Sequence, residues 1–368
     1  MEVISKLLME FKTSVCHDVN EKEWNRSLSK NKTATAYQIA AWPKIYEYAY
    51  ESKPLYITVE NNSGDILGQL AGVIHSKLFW QDSNIITSFI GSRLNLRSVL
   101  NWFYGPIIHD LENHEKIIFQ ILDKINEISK KEKITMARGI SPPLHEGFSN
   151  KQFGKFGYAI EPWSTYITNL NLDSNALYNT FDKKTRYDIR KSEKNNLQFI
   201  VASSRSEFNE FYEIKISAKK RSGHKIKRNS AFYDAHWDLM HKKGFEKLFL
   251  VRYNGIPIGG LFGVIFNKNL IQHGVGNTET TQLLGGTFLT WNSLKWAINE
   301  NLMHFDLGGA NPNPELEKDR NIDHYKAKWG GIKYPYFLYS KIFSQTKTNI
   351  SSLLKNPKNI RKKIYLKN

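Results

Sequence analysis

Cysteine is almost missing from this chain: Cys16 is the single thiol in 368 residues. That excludes a disulfide framework and any zinc cage built from cysteines. Long apolar runs are missing as well. A bilayer-crossing helix takes about 18–20 consecutive apolar residues, and the longest candidate here, Gly255–Phe266, is too short and rich in glycine. The N-terminal stretch MEVISKLLMEFK carries Glu2 and has no basic segment ahead of an apolar core, which is not the pattern of a secretory leader. The eleven histidines form no His-Glu-x-x-His pattern, and neither a Walker loop nor a serine elbow is found. His145 and His324 read as ordinary histidines rather than ligands, so no metal is expected. These absences predict a soluble protein of a reducing compartment, the cytoplasm.

Acidic residues are in deficit: 52 Lys and Arg face 35 Asp and Glu, a formal charge of +17. Hydrophobic residues at 40% and aromatics at 13% supply ample core, which excludes wholesale disorder. At roughly 150 residues per domain the length favours two domains. The positive charge is clustered. Lys183–Lys194 holds six basic and two acidic residues, Lys215–Arg228 seven basic and no acid, and Lys341–Asn368 eight basic and no acid. Each cluster alone could be a solvated face; three together point to a polyanionic partner, such as nucleic acid, a pyrophosphate or anionic lipid headgroups.

The chain also repeats itself. Gly64-Asp-Ile-Leu-Gly-Gln-Leu-Ala-Gly-Val-Ile-His-Ser-Lys77 recurs as Gly255-Ile-Pro-Ile-Gly-Gly-Leu-Phe-Gly-Val-Ile-Phe-Asn-Lys268, at a constant offset of 191 residues and with seven of fourteen positions identical. A period that long is a domain-sized duplication, not a solenoid. Both copies read as hairpins: an apolar strand (Leu55–Val59 or Leu248–Tyr253), a turn (Asn62-Ser-Gly64 or Asn254-Gly255), and a second, glycine-rich strand. Helical periodicity is expected over Glu115–Lys131, Ser206–Lys220 and Thr287–Asn301. With a border near Gly154–Ser164, the expected domains are 1–155 and 156–340, followed by a basic tail, 341–368.

Four segments could carry chemistry. Gln282-Leu-Leu-Gly285-Gly286-Thr287 opens a helix whose backbone N–H groups favour an anion, with glycine permitting close approach; a plain helix start explains it equally. Phe305-Asp306-Leu-Gly308-Gly309 carries a carboxylate into a tight turn, either to orient or deprotonate an amine or simply to bond the turn's own amides. Tyr325-Lys326-Ala-Lys-Trp329-Gly330 places an ammonium between two aromatics, suited to a phosphate or a developing oxyanion. Arg186 and Arg190 stand four apart on one helical face and could clamp phosphates.

In order, these segments resemble the Fem-type aminoacyltransferases and their GNAT-like relatives. The resemblance runs from about residue 30 to 340 through Thr35-Ala-Tyr-Gln38-Ile-Ala-Ala-Trp42, Tyr104-Gly105-Pro106, Arg186–Lys194, Asn254–Ile265, the helix after Gly286, Phe305–Gly309 and Tyr325-Lys326-x-x-Trp329-Gly330. It implies an α/β (α+β) fold of two tandem GNAT-like domains, each a mixed, mostly antiparallel sheet flanked by helices. It implies transfer of an amino acid from aminoacyl-tRNA to an amine on a peptidoglycan or other cell-envelope precursor, with no added cofactor. The family's functional lysine falls on Lys326, flanked by Tyr325 and Trp329 where the family has Phe. A substrate-phosphate lysine falls on Lys44. The family's Arg-x-x-x-Tyr contact is approximated by Arg228 and Tyr233, one residue out of step, and His273 joins these as a substrate-binding candidate. The helical arm that some members insert has no counterpart.

The expected reaction is therefore attack of an acceptor amine on an activated carbonyl, with Lys326 stabilising negative charge and Asp306 orienting the turn or the amine. Two other readings stay open. One is an acyl-coenzyme A-dependent enzyme acting on a sugar, lipid or peptide amine and using Gln282, Gly285, Gly286 and Thr287. The other is a non-catalytic binder of nucleic acid or of the inner membrane surface, held there by the basic tail.

Overall fold

The computed structural model describes residues 11–75, 98–144, 149–221, 228–278 and 281–346. The chain forms two units, Met1–Glu161 with Phe337–Asn368, and Pro162–Tyr336. Both divisions fall inside strands, the first within the Gly154–Ser164 stretch. Residues 337–342 belong to the first unit. Most of the tail, from 347 on, lies outside the described residues, as does His145.

The first unit contains β1 (Lys12–Cys16), β2 (Lys53–Glu60), β3 (Ile66–His75), β4 (Val99–Trp102), β5 (Ile107–Ile108) and β6 (Met136–Ile140), with helices α1 (Glu21–Ser29), α2 (Ala41–Tyr50), α3 (His114–Lys131) and α4 (Lys151–Lys155). Its sheet runs β1-β2-β3-β4-β6 and then residues 338–342 of the chain's last strand. All neighbours are antiparallel except β4 and β6, which are parallel. A parallel pair needs a crossover, and α3 lies within it. Its Ile117, Ile118, Ile121, Leu122 and Ile125 recur on one face and are essentially inaccessible to solvent. They pack on Leu55, Ile57, Leu67 and Leu70 of the β2–β3 hairpin. Burying each such side chain is worth about 1.5–3 kcal/mol.

The second unit contains β7 (Ala159–Asn169), α5 (Ser174–Thr180), α6 (Lys183–Glu193), β8 (Leu197–Val201), α7 (Arg205–Arg221), α8 (Ser230–His236), β9 (Glu246–Tyr253), β10 (Ile256–Phe266), β11 (Asn269–Asn277), α9 (Gly285–Asn299), β12 (His304–Ala310), α10 (Glu317–Ala327) and β13 (Ile332–Ile342). Its sheet order is β8-β9-β10-β11-β12-β7. The neighbours are antiparallel except β11 and β12, which are parallel, with α9 in the crossover. The two sheets thus share one succession: three antiparallel pairs, one parallel pair, one antiparallel pair. The repeated sequence occupies β3 and β10, the third strand of each. Sequence duplication and fold duplication coincide, so the expected tandem architecture is what the chain adopts.

Both repeat copies are hairpins. At the β9–β10 turn, Asn254 and Gly255 have φ of 49° and 78°. Two consecutive left-handed residues match the twist of the flanking strands, which is why Asn-Gly marks such turns. At the β2–β3 turn, Gly64 has φ 82° and the Asn61 carboxamide oxygen accepts from the amides of Ser63 and Asp65.

Candidate functional site

In the first unit the two motif segments of the family resemblance meet. Gln38, fully buried, donates to the carbonyls of Ala71 (3.1 Å) and Phe103 (2.7 Å) and accepts from the Ala71 amide. A Cβ on Gly105 would strike the Gln38 carboxamide at 2.8 Å, so glycine is required there for close approach. Tyr37 packs edge-on against Trp42 and Tyr104. Lys44, on α2, pairs with the exposed Asp18 at 2.7 Å, and that partner holds the Asp18 carboxyl below its ordinary range.

The second unit brings Lys326 and Asp306 to opposite sides of one turn. β11 and β12 pair in parallel from Asn269/His304 only as far as Ile271/Asp306. Beyond that point β12 bulges against β7, and Gly308 takes φ 83°. Inside the bulge the Asp306 carboxylate, 4% exposed, accepts from the Gly308 amide at 2.7 Å and from the Thr165 hydroxyl. It therefore braces the turn; the carboxylate faces protein rather than solvent. On the other side the Lys326 ammonium donates to the carbonyls of Gly308 (2.8 Å) and Gly309 (2.7 Å). An ammonium has three donors, so one remains for a ligand. Burial pushes the Lys326 pKa down to about 8, against the pull of Asp306 and Asp323. Tyr336 and the Trp163 indole nitrogen close around Gly309, where a Cβ would meet them at 2.8 and 3.0 Å.

The C-terminal end of α10 is latched to α9. The Tyr325 hydroxyl lies 2.9 Å from Thr290 Oγ1 and donates to the Gly286 carbonyl at 3.3 Å. α9 starts after Leu284, which is left-handed (φ 54°), and no side chain caps it. Gly285 and Gly286 are partly exposed and Gln282 is exposed, while Thr287 is buried. The first turn of α9 thus carries no side-chain cap, and its two glycines reach the surface.

Other candidates sit differently from what their residue types suggested. Trp329 is fully buried, edge-on to Phe181, and its carbonyl accepts from Thr168; it supports the turn from within the core. Arg186 donates to the carbonyls of Phe181 (2.6 Å) and Asn179 (3.2 Å), stitching α5 to α6. Arg190 is exposed and donates to the Tyr178 hydroxyl. Arg228, Tyr233 and His273 do come together. The Arg228 guanidinium lies 4.4 Å from the Phe232 ring centroid, and Phe232 stacks on His273. Burial and then Arg228 depress the pKa of His273, and Arg228 opposes the upward push of burial on the Tyr233 phenol.

Sequence reasoning missed Thr165, Trp163 and Tyr336, whose roles depend on strand neighbours far away in sequence. It also passed over Lys215, counted only as one charge in a cluster. Among the described residues no group of three or more His, Cys, Asp and Glu could hold a metal, and no helix is long and apolar enough to cross a membrane.

Comparison with known proteins bears on the fold. Residues 180–327 match the family model described as the acetyltransferase (GNAT) domain. A sequence relative is the lipid II:glycine glycyltransferase of Staphylococcus aureus (strain COL), 27% identical over 156 residues. That match covers 38% of this chain and 36% of the relative's length, so the chain aligns with about a third of it. Among solved structures, FemX superposes with a TM-score of 0.70 at 14% identity, over 93% of this chain and 100% of FemX. A tandem GNAT protein from the clavulanic acid biosynthesis pathway gives 0.55 at 11% identity, over 90% of this chain and 98% of its own. By sequence, residues 180–327 match the GNAT acetyltransferase domain and the chain is similar to the lipid II:glycine glycyltransferase; by fold it is similar to FemX.

Proposed function

We propose that this protein is an N-acyltransferase of Fem type, moving an aminoacyl group from aminoacyl-tRNA to an amine of a lipid-linked cell-envelope precursor in the cytoplasm, at the inner face of the membrane. The observation that carries the reading is the Lys326 ammonium on the Gly308 and Gly309 carbonyls, where β11 and β12 part. An acceptor amine attacks the ester carbonyl of the charged tRNA, and the C–O bond to the ribose breaks as the amide C–N bond forms. Negative charge develops first on the carbonyl oxygen and then on the leaving ribose oxygen. The free donor of Lys326 meets that charge in a partly buried setting, where a fixed cation is worth more than in water. The proton lost by the amine ends on the leaving hydroxyl. Asp306 acts through Gly308 by fixing the turn that aims Lys326.

A formal charge of +17 suits a polynucleotide donor better than a single pyrophosphate. The uncapped first turn of α9 and the acetyltransferase-domain match over residues 180–327 favour acyl-coenzyme A. The test is transfer of labelled amino acid from charged tRNA, and of labelled acetyl from coenzyme A, to lipid-linked precursors. Transfer from tRNA alone, abolished by Lys326→Ala, supports the proposal.

A further inference from the structure

The outward face of α6 and its C-cap carries cations and no acid. Lys183, Lys184, Arg190, Lys191 and Lys194 are exposed, and among them stands Tyr187, 57% exposed. Positions 183, 187, 190, 191 and 194 share one side of a helix of 3.6 residues per turn. Thr185, Ile189 and Ser192 form the opposite, buried side. The two acids of α6 lie off the stripe: Asp188 is half-buried and attracts Lys328, and Glu193 takes Lys295 at 3.7 Å. Among the described residues Lys183, Lys184, Lys191 and Lys194 enter no ion pair. Like charges three and four residues apart cost helix stability, and Lys194 has both Arg190 and Lys191 at those distances. A polyanion laid along the stripe would offset that cost.

The stripe runs beside the candidate site. At its first end, a Cβ on Gly330 would lie 3.3 Å from Thr180 and 3.5 Å from Phe181, just ahead of α6. Lys328, over the rings of Tyr325 (4.7 Å) and Trp329 (5.0 Å), lies within electrostatic reach of Asp188, Asp182 and Lys184. At the other end, the Asn195 carboxamide donates at 2.9 Å to the Leu283 carbonyl, in the loop that opens α9. From Lys183 to Lys194 the face is about 16 Å long. It therefore reaches from the segment that carries Lys326 to the start of α9. An interfacial membrane helix buries a broad apolar face, whereas Tyr187 is the one large apolar side chain exposed on α6 among the described residues. Cations interrupted by a single flat ring suit a single-stranded polynucleotide, with phosphates on the cations and a base on the ring.

We infer that the outer face of α6 is the docking surface for a single-stranded RNA segment, with Lys183, Lys191 and Lys194 on its phosphates and a base stacked on Tyr187, so that the strand is led toward Lys326. This rests on the aminoacyl-tRNA reading above and gives the single-stranded end of that donor its place.

The experiment is fluorescence anisotropy of the full chain with a labelled single-stranded oligoribonucleotide of about a dozen residues, ending in CCA, titrated over a range of salt. The proteins are wild type, the combined Lys183→Gln, Lys191→Gln and Lys194→Gln variant, Tyr187→Ala and Tyr187→Phe. These side chains are exposed, so every variant should melt no lower than wild type, which calorimetry checks. The basic tail is present in each, so the differences between variants are the readout. The combined variant should flatten the slope of log K against log salt by about 2. Tyr187→Ala should bind at least fivefold more weakly, while Tyr187→Phe holds the wild-type affinity. An unchanged slope, equal affinity of Tyr187→Ala and wild type, or a combined variant that loses phosphatidylglycerol vesicles but keeps RNA would overturn the inference. Binding needs no turnover, so the two readings fail separately. RNA held through α6 with no transfer from charged tRNA would refute the transfer reading and keep this surface. Transfer from charged tRNA at the wild-type kcat/KM by the combined variant would refute the surface and keep the transfer reading.

Discussion

Lys326 and Gly309 are joined by a 2.7 Å hydrogen bond from the ammonium to the backbone carbonyl, just past the point where the parallel strands β11 and β12 separate. The lysine arrives from α10 and the carbonyl from β12. The bond fixes a flexible, four-carbon side chain at one place on the sheet.

The charge of Lys326 should set the upper pH limit of activity. Its pKa is depressed to about 8, so the ammonium is present below that value and lost as pH rises through it. The kcat/KM profile should fall above about pH 8 with the slope of one ionisation. Lys326→Arg, which stays charged, should remove the fall even at reduced rate, and Lys326→Ala should lower kcat at least a hundredfold. A pH profile of wild type beside Lys326→Arg checks this.

Asp306 should prove structural first. Its carboxylate accepts from Thr165 and Gly308 inside the bulge, so Asp306→Asn turns one acceptor into a donor beside a donor. Stability should drop by about 1–3 kcal/mol in urea titration, with kcat lowered through misplacement of Lys326. Thr165→Val should lower stability in the same direction. Full stability with lost turnover in Asp306→Asn would instead make the carboxylate a proton acceptor.

Lys215→Met should stabilise the unliganded protein. A lysine with a folded pKa near 8 and an ordinary value of 10.5 leaves the folded state with fewer protons than the unfolded state between those two values. Stability therefore rises with pH through that window, and the charge is a cost at pH 7. Removing it should raise the melting temperature by a few degrees, about 1 kcal/mol after loss of the hydrogen bond from its ammonium to the Val275 carbonyl. Differential scanning calorimetry at pH 7 and pH 10.5 should show the gain shrinking at the higher pH.

Gly139→Ala should damage the first unit. A Cβ there would overlap the buried Trp102 indole, and the strand backbone cannot retreat because β6 is paired on both sides. A loss of about 3 kcal/mol is expected in chemical denaturation.

Much of the fold was legible in the sequence because its signals are local. Asn254-Gly255 between two apolar runs states a hairpin by itself, and the 191-residue offset states a second one. The periodicity over Glu115–Lys131 matches α3 to within a residue. Pairing across long separations was not legible. Nothing in Leu338–Ile342 announces that its partner is Met136–Ile140, some two hundred residues earlier. The site was legible by residue type and not by direction. Lys326 and Asp306 do meet at one turn, but sequence does not tell that Arg186 turns back on its own helix start. Nor does it tell that Trp329 points into the core. Lys215 was hidden because one lysine in a cluster of seven basic residues carries no mark of burial; a trace is the Gly274-Val-Gly276 spacing that lets it lie flat.

The most direct test of the account is a paired transfer assay with purified protein, a lipid-linked precursor bearing a free amine, and either labelled aminoacyl-tRNA or labelled acetyl-coenzyme A. The account predicts that label moves from the tRNA to the amine, that coenzyme A gives none, and that Lys326→Ala gives none from either. Acetyl transfer from coenzyme A with no transfer from tRNA, or undiminished transfer by Lys326→Ala, would contradict it.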